Sequence, residues 1–193
     1  MPQGNALDKV KKLRELTGVG FQDCKNAIDK NNGDIEKSIE FLRIKGIAKA
    51  NKKMERVAAD GLISICERKN KFSIIEVNSE TDFVAKNDEF IKFVEEISKL
   101  ALIKSGKMKD ILTSQMENKK NVKDNLVSIV SKIGEKITLR RSDCLESDKF
   151  VNFSYTHSPV KKNLGKIGVL LSFETTKKKE ELLKFGKQLA MYI

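Results

Sequence analysis

The run Phe72-Ser73-Ile74-Ile75-Glu76-Val77-Asn78-Ser79-Glu80-Thr81-Asp82-Phe83-Val84-Ala85-Lys86-Asn87 decides the fold. Its first six residues are apolar and rich in β-branched side chains, the pattern of a short strand. Beyond it, Phe90, Val94, Ile97 and Ala101 recur at the helical period. The polar stretch between them is therefore a strand-to-helix junction. Ser79 stands three residues before Asp82, at capping-box spacing, and Asn87 directly precedes Asp88 and Glu89, so the helix starts at one of these two places. Phe83 lies seven residues before Phe90 in the same apolar series. The pattern leaves two readings open: Phe83 extends the core face of the helix, or it is an exposed side chain beside the charge of Asp82.

Working outward, Leu62-Ile63-Ser64-Ile65-Cys66 precedes the first strand, and the polar Glu67-Arg68-Lys69-Asn70-Lys71 between them has the length of an antiparallel connection. A hairpin is predicted there. After the long helix, residues 105–118 read as polar with glycine and serine breaks. Val122, Leu126, Ile129, Val130 and Ile133 then restore helical spacing up to Gly134. KITLRRSDCLES, FVNFSYTHS and LGKIGVLLSFE give three further strands, with Pro159 and Gly165 as punctuation, and a closing helix starts near Lys177. Strands and helices in this order predict an α+β core, a mainly antiparallel sheet packed with helices.

Toward the N-terminus, Ala6, Val10, Leu13 and Leu16 form an apolar stripe that stops at Thr17-Gly18-Val19-Gly20. A second helix fits Phe21 to Lys30. Asn32-Gly33-Asp34 ends it and opens a third helix carrying Ile35, Ile39 and Leu42, with Asp34 as its cap. The predicted organisation is a three-helix module at residues 1–46, a basic linker at 47–60 that is either helical or flexible, and the core at 61–193.

At 193 residues and 39% apolar content the chain can bury a substantial core. Its net charge of +11 invites a nucleic-acid or acidic partner, yet only six of its 38 basic residues are arginine, the side chain best suited to bidentate phosphate or base contacts. Cys24, Cys66 and Cys144 are odd in number and widely spaced, which fits neither a zinc site nor a paired disulfide framework. The N-terminus has no secretory or transit pattern and no apolar run reaches about 18 residues, so a cytoplasmic location and no membrane contact are expected.

TDFVAKN, directly after EVNSE, resembles the signature of the elongation factor Ts family, the nucleotide exchange factors of elongation factor Tu. GVGFQDCKNAI with NNGDIEKSIEFLR resembles that family's version of the ubiquitin-associated three-helix fold, and KIGEKITLRR and the Tyr155 to Val169 series continue the match. The resemblance implies a partner, elongation factor Tu in its GDP-bound and nucleotide-free states, and no cofactor. It implies that Asp82 and Phe83, flanked by Thr81 and Val84, insert near the partner's Mg²⁺ site. It further implies that Arg14, Val19, Phe21, Gln22 and Lys25 contact the partner's nucleotide-binding domain, with Ile133 and His157 near the same interface. Gln22 departs from the apolar residue usual at its position. The apolar, uncapped ending Ala190-Met191-Tyr192-Ile193 is expected to lie inside an element that continues in complete family members, and whether the chain forms a homo-oligomer stays open.

Three other classes fit the sequence less well. An enzyme needs a constellation of base or nucleophile, but His157 is the lone histidine and no phosphate-binding glycine loop, metal-ligand cluster or nucleophile elbow appears. A lone histidine is more often a satisfied polar residue of a strand or loop. An RNA-binding basic protein is the alternative function. Its charge favours it, but the aromatics fall within apolar patterns and no stacking surface is legible, so direct nucleic-acid contact is not expected. A ubiquitin-type module alone would not need the TDFVAKN junction.

Overall fold

Asn87 sets the start of the first long helix of the core. Its backbone is extended, and its Oδ1 accepts hydrogen bonds from the N–H groups of Glu89 and Phe90. Two of the otherwise orphaned amides of the helix end are thereby satisfied, and Asp88 and Glu89 in the first turn complement the helix dipole. Ser79, the other candidate cap, instead donates its hydroxyl to the Thr81 carbonyl at 2.9 Å and tightens the turn. The computed structural model describes residues 6–146 and 149–193, without the side chains at 49 and 51. Over these the chain divides into two compact units. One runs through Arg56 and includes Leu126–Lys136; the other comprises Val57–Asn125 and Ile137–Ile193.

The larger unit is α+β. Strands β1 (Asp60–Arg68), β2 (Lys71–Ser79), β3 (Thr138–Glu146), β4 (Phe150–Lys161) and β5 (Leu164–Glu174) form one antiparallel sheet in the order β3-β2-β1-β5-β4. β1 and β2 pair over their full length from Asp60 opposite Ser79 to Arg68 opposite Lys71. That pairing needs close approach at its open end. Gly61 has φ +131°, and a Cβ there would lie 2.1 Å from the Val77 carbonyl oxygen, so only glycine fits. Helix α4 (Asp88–Ile103) packs on β1 and β2. Its Phe90, Val94, Ile97 and Ala101 are fully buried, as the helical spacing predicts.

β2 and β3 slip register between Glu76 and Val77: Glu76 faces Arg141 and Val77 faces Leu139, leaving Arg140 as the extra residue of a bulge. As a result, Arg140 and Arg141 both reach the Glu76 carboxylate. β4 and β5 form a long hairpin. Pro159, read from sequence as punctuation between strands, lies inside one: β4 continues through Pro159 to Lys161, and the turn is only Lys162-Asn163. Proline is accommodated because β4 is an edge strand and the register shifts between Pro159 and Lys161. Helix α7 (Lys179–Tyr192) packs on β4, where Gly186 lies so close to the Phe153 ring that a Cβ would come within 2.5 Å. The polar stretch after α4 holds a short helix α5 (Met108–Thr113), too brief and too polar for periodicity to reveal.

In the smaller unit, helices α1 (Ala6–Thr17), α2 (Phe21–Lys30) and α3 (Ile35–Lys53) bury Val10, Leu13, Cys24, Ala27, Ile28 and Leu42 against one another. Asp34 caps α3 as its position predicts, accepting the Lys37 N–H at 3.0 Å. The Ser38 hydroxyl, fully buried, donates to the Ala27 carbonyl and ties α3 to α2. α3 runs on through much of the basic stretch 47–60, ending at Lys53. The end of helix α6 (Val122–Ile133) belongs with it: Gly46 lies against the Ser131 side chain, and Lys136 donates to the carbonyls of Met54 and Arg56.

Candidate partner-binding site

The turn between β2 and α4 begins from a fixed base. Asn78, buried at the end of β2, donates from Nδ2 to the Asp60 carbonyl at 2.9 Å and to the Glu76 carboxylate at 3.1 Å. Burial pushes the Glu76 carboxyl up, but hydrogen bonds from Arg141 and Asn78 and the charges of both arginines outweigh it and leave the carboxyl below its usual range. Across the strand pair, Asp60 bonds to Lys166 and accepts the Gly61 N–H, which also lowers its carboxyl; Lys86 adds a smaller share. The β2 end of the turn and Asp60 beside it on β1 are thus tied into the sheet by charged hydrogen bonds.

From that base the chain makes a single 3-10 turn, Val84–Lys86, whose Val84 and Ala85 are buried. Two inward side chains leave the preceding pair facing out. Phe83 is 77% exposed, the most exposed phenylalanine among the described residues. Asp82 is about half exposed and pairs with Lys86 at 3.3 Å, and the same ammonium lies 6.0 Å from the centre of the Phe83 ring. Asp82, Phe83 and Lys86 therefore form one small projecting cluster, with the cation paired to the carboxylate and near the aromatic ring. Thr81 is half-buried in the turn. Val84, grouped with these residues in the sequence, is an internal anchor whose side chain points into the core.

His157 is exposed on β4, with its Nδ1 3.0 Å from the Tyr155 hydroxyl. It stands opposite Ile167, itself exposed and next to Lys166, the partner of Asp60. Asp60 is in turn opposite Ser79, the last residue before the turn. A chain of neighbours thus links His157 to the base of the Phe83 turn within the larger unit.

The remaining predicted residues lie in the smaller unit. Arg14, Gln22 and Lys25 are exposed, Phe21 is 41% exposed at the first position of α2, and Val19 and Ile133 are half-buried. Val19 packs on the helical core, and its carbonyl accepts the Cys24 thiol at 3.4 Å. Burial raises the pKa of this thiol, as it does for Cys66 and Cys144, so all three are poor nucleophiles. Sequence reasoning missed Lys86, although its spacing of four from Asp82 was a usable signal. It also missed Asp60, Lys166 and the Glu76 cluster, which come together only through strand pairing.

Among the described residues no group of three or more His, Cys, Asp or Glu could hold a metal ion, and no helix is long and apolar enough to cross a membrane. The family model described as "Elongation factor TS" matches residues 80–193, from the Phe83 turn onward. Elongation factor Ts of Methylorubrum populi is 45% identical over 185 residues, 95% of this chain and 60% of that protein. The same factor of Maricaulis maris is 40% identical over 184 residues, covering 95% and 59%. That of Ehrlichia ruminantium is 43% identical over 188 residues, covering 97% and 65%. The chain thus spans about three fifths of the length of the curated relatives it matches. With a family model covering more than half of its residues and these relatives aligned along nearly all of them, the chain belongs to the elongation factor Ts family.

Proposed function

We propose that this chain binds elongation factor Tu and promotes release of its GDP, so that GTP can replace it. The observation that carries this reading is the 77% exposure of Phe83 beside Asp82, on a turn whose next two side chains are buried. A guanine nucleotide is held largely through its phosphates and their Mg²⁺, so a partner that disturbs this site accelerates release without covalent chemistry. Phe83 supplies an apolar wedge for an opening between helices of the partner. The Asp82 carboxylate, released from Lys86, acts on the water shell of the partner's metal. The rigid base at Asp60, Glu76 and Asn78 limits the ordering entropy lost when the cluster docks.

The helices of residues 1–46 provide a second foothold through Phe21 and its neighbours Arg14, Val19, Gln22 and Lys25, while His157 and Ile133 extend the contact. Two footholds on one partner raise the effective concentration of each. Exchange also requires reciprocity: if this chain weakens nucleotide affinity, nucleotide weakens the affinity of this chain by the same factor. The test is release of a fluorescent GDP analogue from elongation factor Tu, followed with and without the chain at several concentrations. Acceleration that saturates with the chain, and that excess GDP reverses, is the expected result. A release rate indifferent to the chain would sink the proposal.

A further inference from the structure

At the opposite end of the β1–β2 hairpin from the Phe83 turn lies a groove of about 300 Å³ lined by Asn70, Lys149, Phe150, Lys177, Lys178 and Lys179. Three segments distant in sequence meet there: the β1–β2 turn, the first residues of β4 and the connection from β5 to α7. Its lining carries four lysines and a single carboxylate, Glu180. The nearest further acid on the helix, Glu181, is already engaged, accepting the Lys178 N–H at 3.3 Å. Lys177 and Lys178 are exposed, and Phe150, the first residue of β4, is 37% exposed.

The groove floor is built, not draped. Lys179 turns inward, its ammonium 4.6 Å from the Phe72 ring centre and 5.7 Å from that of Phe153, which holds the start of α7 to the sheet. Asn152 donates to the Asn70 carbonyl at 2.8 Å and fixes the hairpin turn. The Thr175 hydroxyl accepts the Lys177 N–H and shapes the connection. A cleft that combines outward ammonium groups with a partly exposed phenyl group suits an extended polyanion whose units also stack. A peptide of Asp and Glu alone would use the lysines but leave Phe150 idle; a duplex would offer phosphates but hide its base faces.

We propose that this groove binds single-stranded nucleic acid, with Lys177 and Lys178 on the phosphates and Phe150 as the platform for one base. Because β2 is nine residues long, the groove lies roughly 27 Å along the strand from the Phe83 turn.

The experiment is fluorescence anisotropy of labelled twelve-residue oligouridylate and oligothymidylate with the full chain, repeated across salt concentrations. Salt-dependent binding of either oligomer is expected, and the tighter of the two identifies the sugar preferred. Replacing two phosphate contacts, Lys177→Ala with Lys178→Ala, should reduce the slope of log affinity against log salt by about 1.4. Phe150→Ala should weaken binding roughly fivefold or more with the slope unchanged, the behaviour of a lost stacking contact. Lys11→Ala with Lys12→Ala, at exposed lysines of α1, serves as a charge control and should change little. The proposal is overturned if that control weakens binding as much as the groove pair, if Phe150→Ala has no effect, or if a polyglutamate peptide or a duplex of equal length binds as well as the single strands.

Discussion

Phe83 and Phe90 belong to one apolar series and differ in fate. Phe90, in helix α4, is completely buried, whereas Phe83, in the turn before it, is 77% exposed. The difference lies in the backbone between them. At Asn87 the chain is extended, with φ −78° and ψ 127°, so the helical phase that carries Phe90, Val94 and Ile97 inward does not reach back to Phe83. Periodicity fixes burial only while a single helix persists, and a cap resets it. On the far side of the cap, Val84 and Ala85 fill the core and Phe83 is turned out.

The comparison is sharpest in a pair of alanine substitutions. Phe90→Ala should lower folding stability by about 3–5 kcal/mol, the usual cost of emptying a buried phenyl site. Phe83→Ala should leave the denaturation midpoint nearly unchanged and weaken nucleotide exchange by about 2 kcal/mol, roughly thirtyfold, as for an aromatic anchor at an interface. Chemical denaturation of both variants, with exchange assayed in parallel, separates the two. Equal loss of stability at both positions would mean that Phe83 is covered in solution, and the contrast would collapse.

The base of the turn should respond to acid. The Glu76 carboxyl is held below its usual range in the folded chain, so its contribution is fully present above the unfolded pKa and is lost as pH falls through the lowered folded value. Glu76→Gln should cost about 1.5–2 kcal/mol near neutral pH, at the low end of the range for hydrogen bonds to a charged group, and should flatten the loss of stability in acid. A wild-type and variant pair with parallel stability-versus-pH curves would show that the Arg140 and Arg141 pairing contributes nothing net.

These contrasts mark what sequence could carry. The three N-terminal helices, the β1–β2 hairpin and the buried face of α4 were legible because their signals are local: alternation, helical spacing, the Gly33-Asp34 stop and start. Pro159 misled because a proline on an edge strand needs no ladder partner, so β4 passes through it. Phe83 and Asp82 were legible as candidates from the family signature, but the exposure of one and the Lys86 partner of the other required the turn itself. The cluster of Glu76 with Arg140 and Arg141 depends on a one-residue bulge, which no spacing rule reports. The lysine groove was hidden for the same reason: its members come from three separate segments.

Phe21 offers an intermediate case, since it is 41% exposed and opens α2 beside the half-buried Val19. As part of a second foothold, Phe21→Ala should shift the concentration of chain needed for half-maximal exchange by about tenfold, near 1.4 kcal/mol, and leave the rate at saturation close to that of the parent. The readout is a titration rather than a single-point rate. A fall in the saturating rate with no shift in concentration would place Phe21 in the exchange step and remove the distinction between the two regions.

A small stability effect is expected at the Asp82–Lys86 pair, whose side chains are 49% and 70% exposed. Such a pair is screened by water and must hold a long lysine side chain in one geometry, so Asp82→Asn and Lys86→Ala should each change folding stability by less than about 1 kcal/mol. Their effects on exchange should diverge. Asp82→Asn removes the charge proposed to act on the partner's metal, so it should slow GDP release, and the deficit should shrink when a chelator has already taken the Mg²⁺. Lys86→Ala leaves that carboxylate in place and should slow release less. Asp82→Asn combined with Phe83→Ala should be less than additive, because adjacent residues entering one opening are coupled. If instead Asp82→Asn lowers the denaturation midpoint while its exchange deficit is the same with and without the chelator, Asp82 is a structural residue of the turn and Phe83 acts alone.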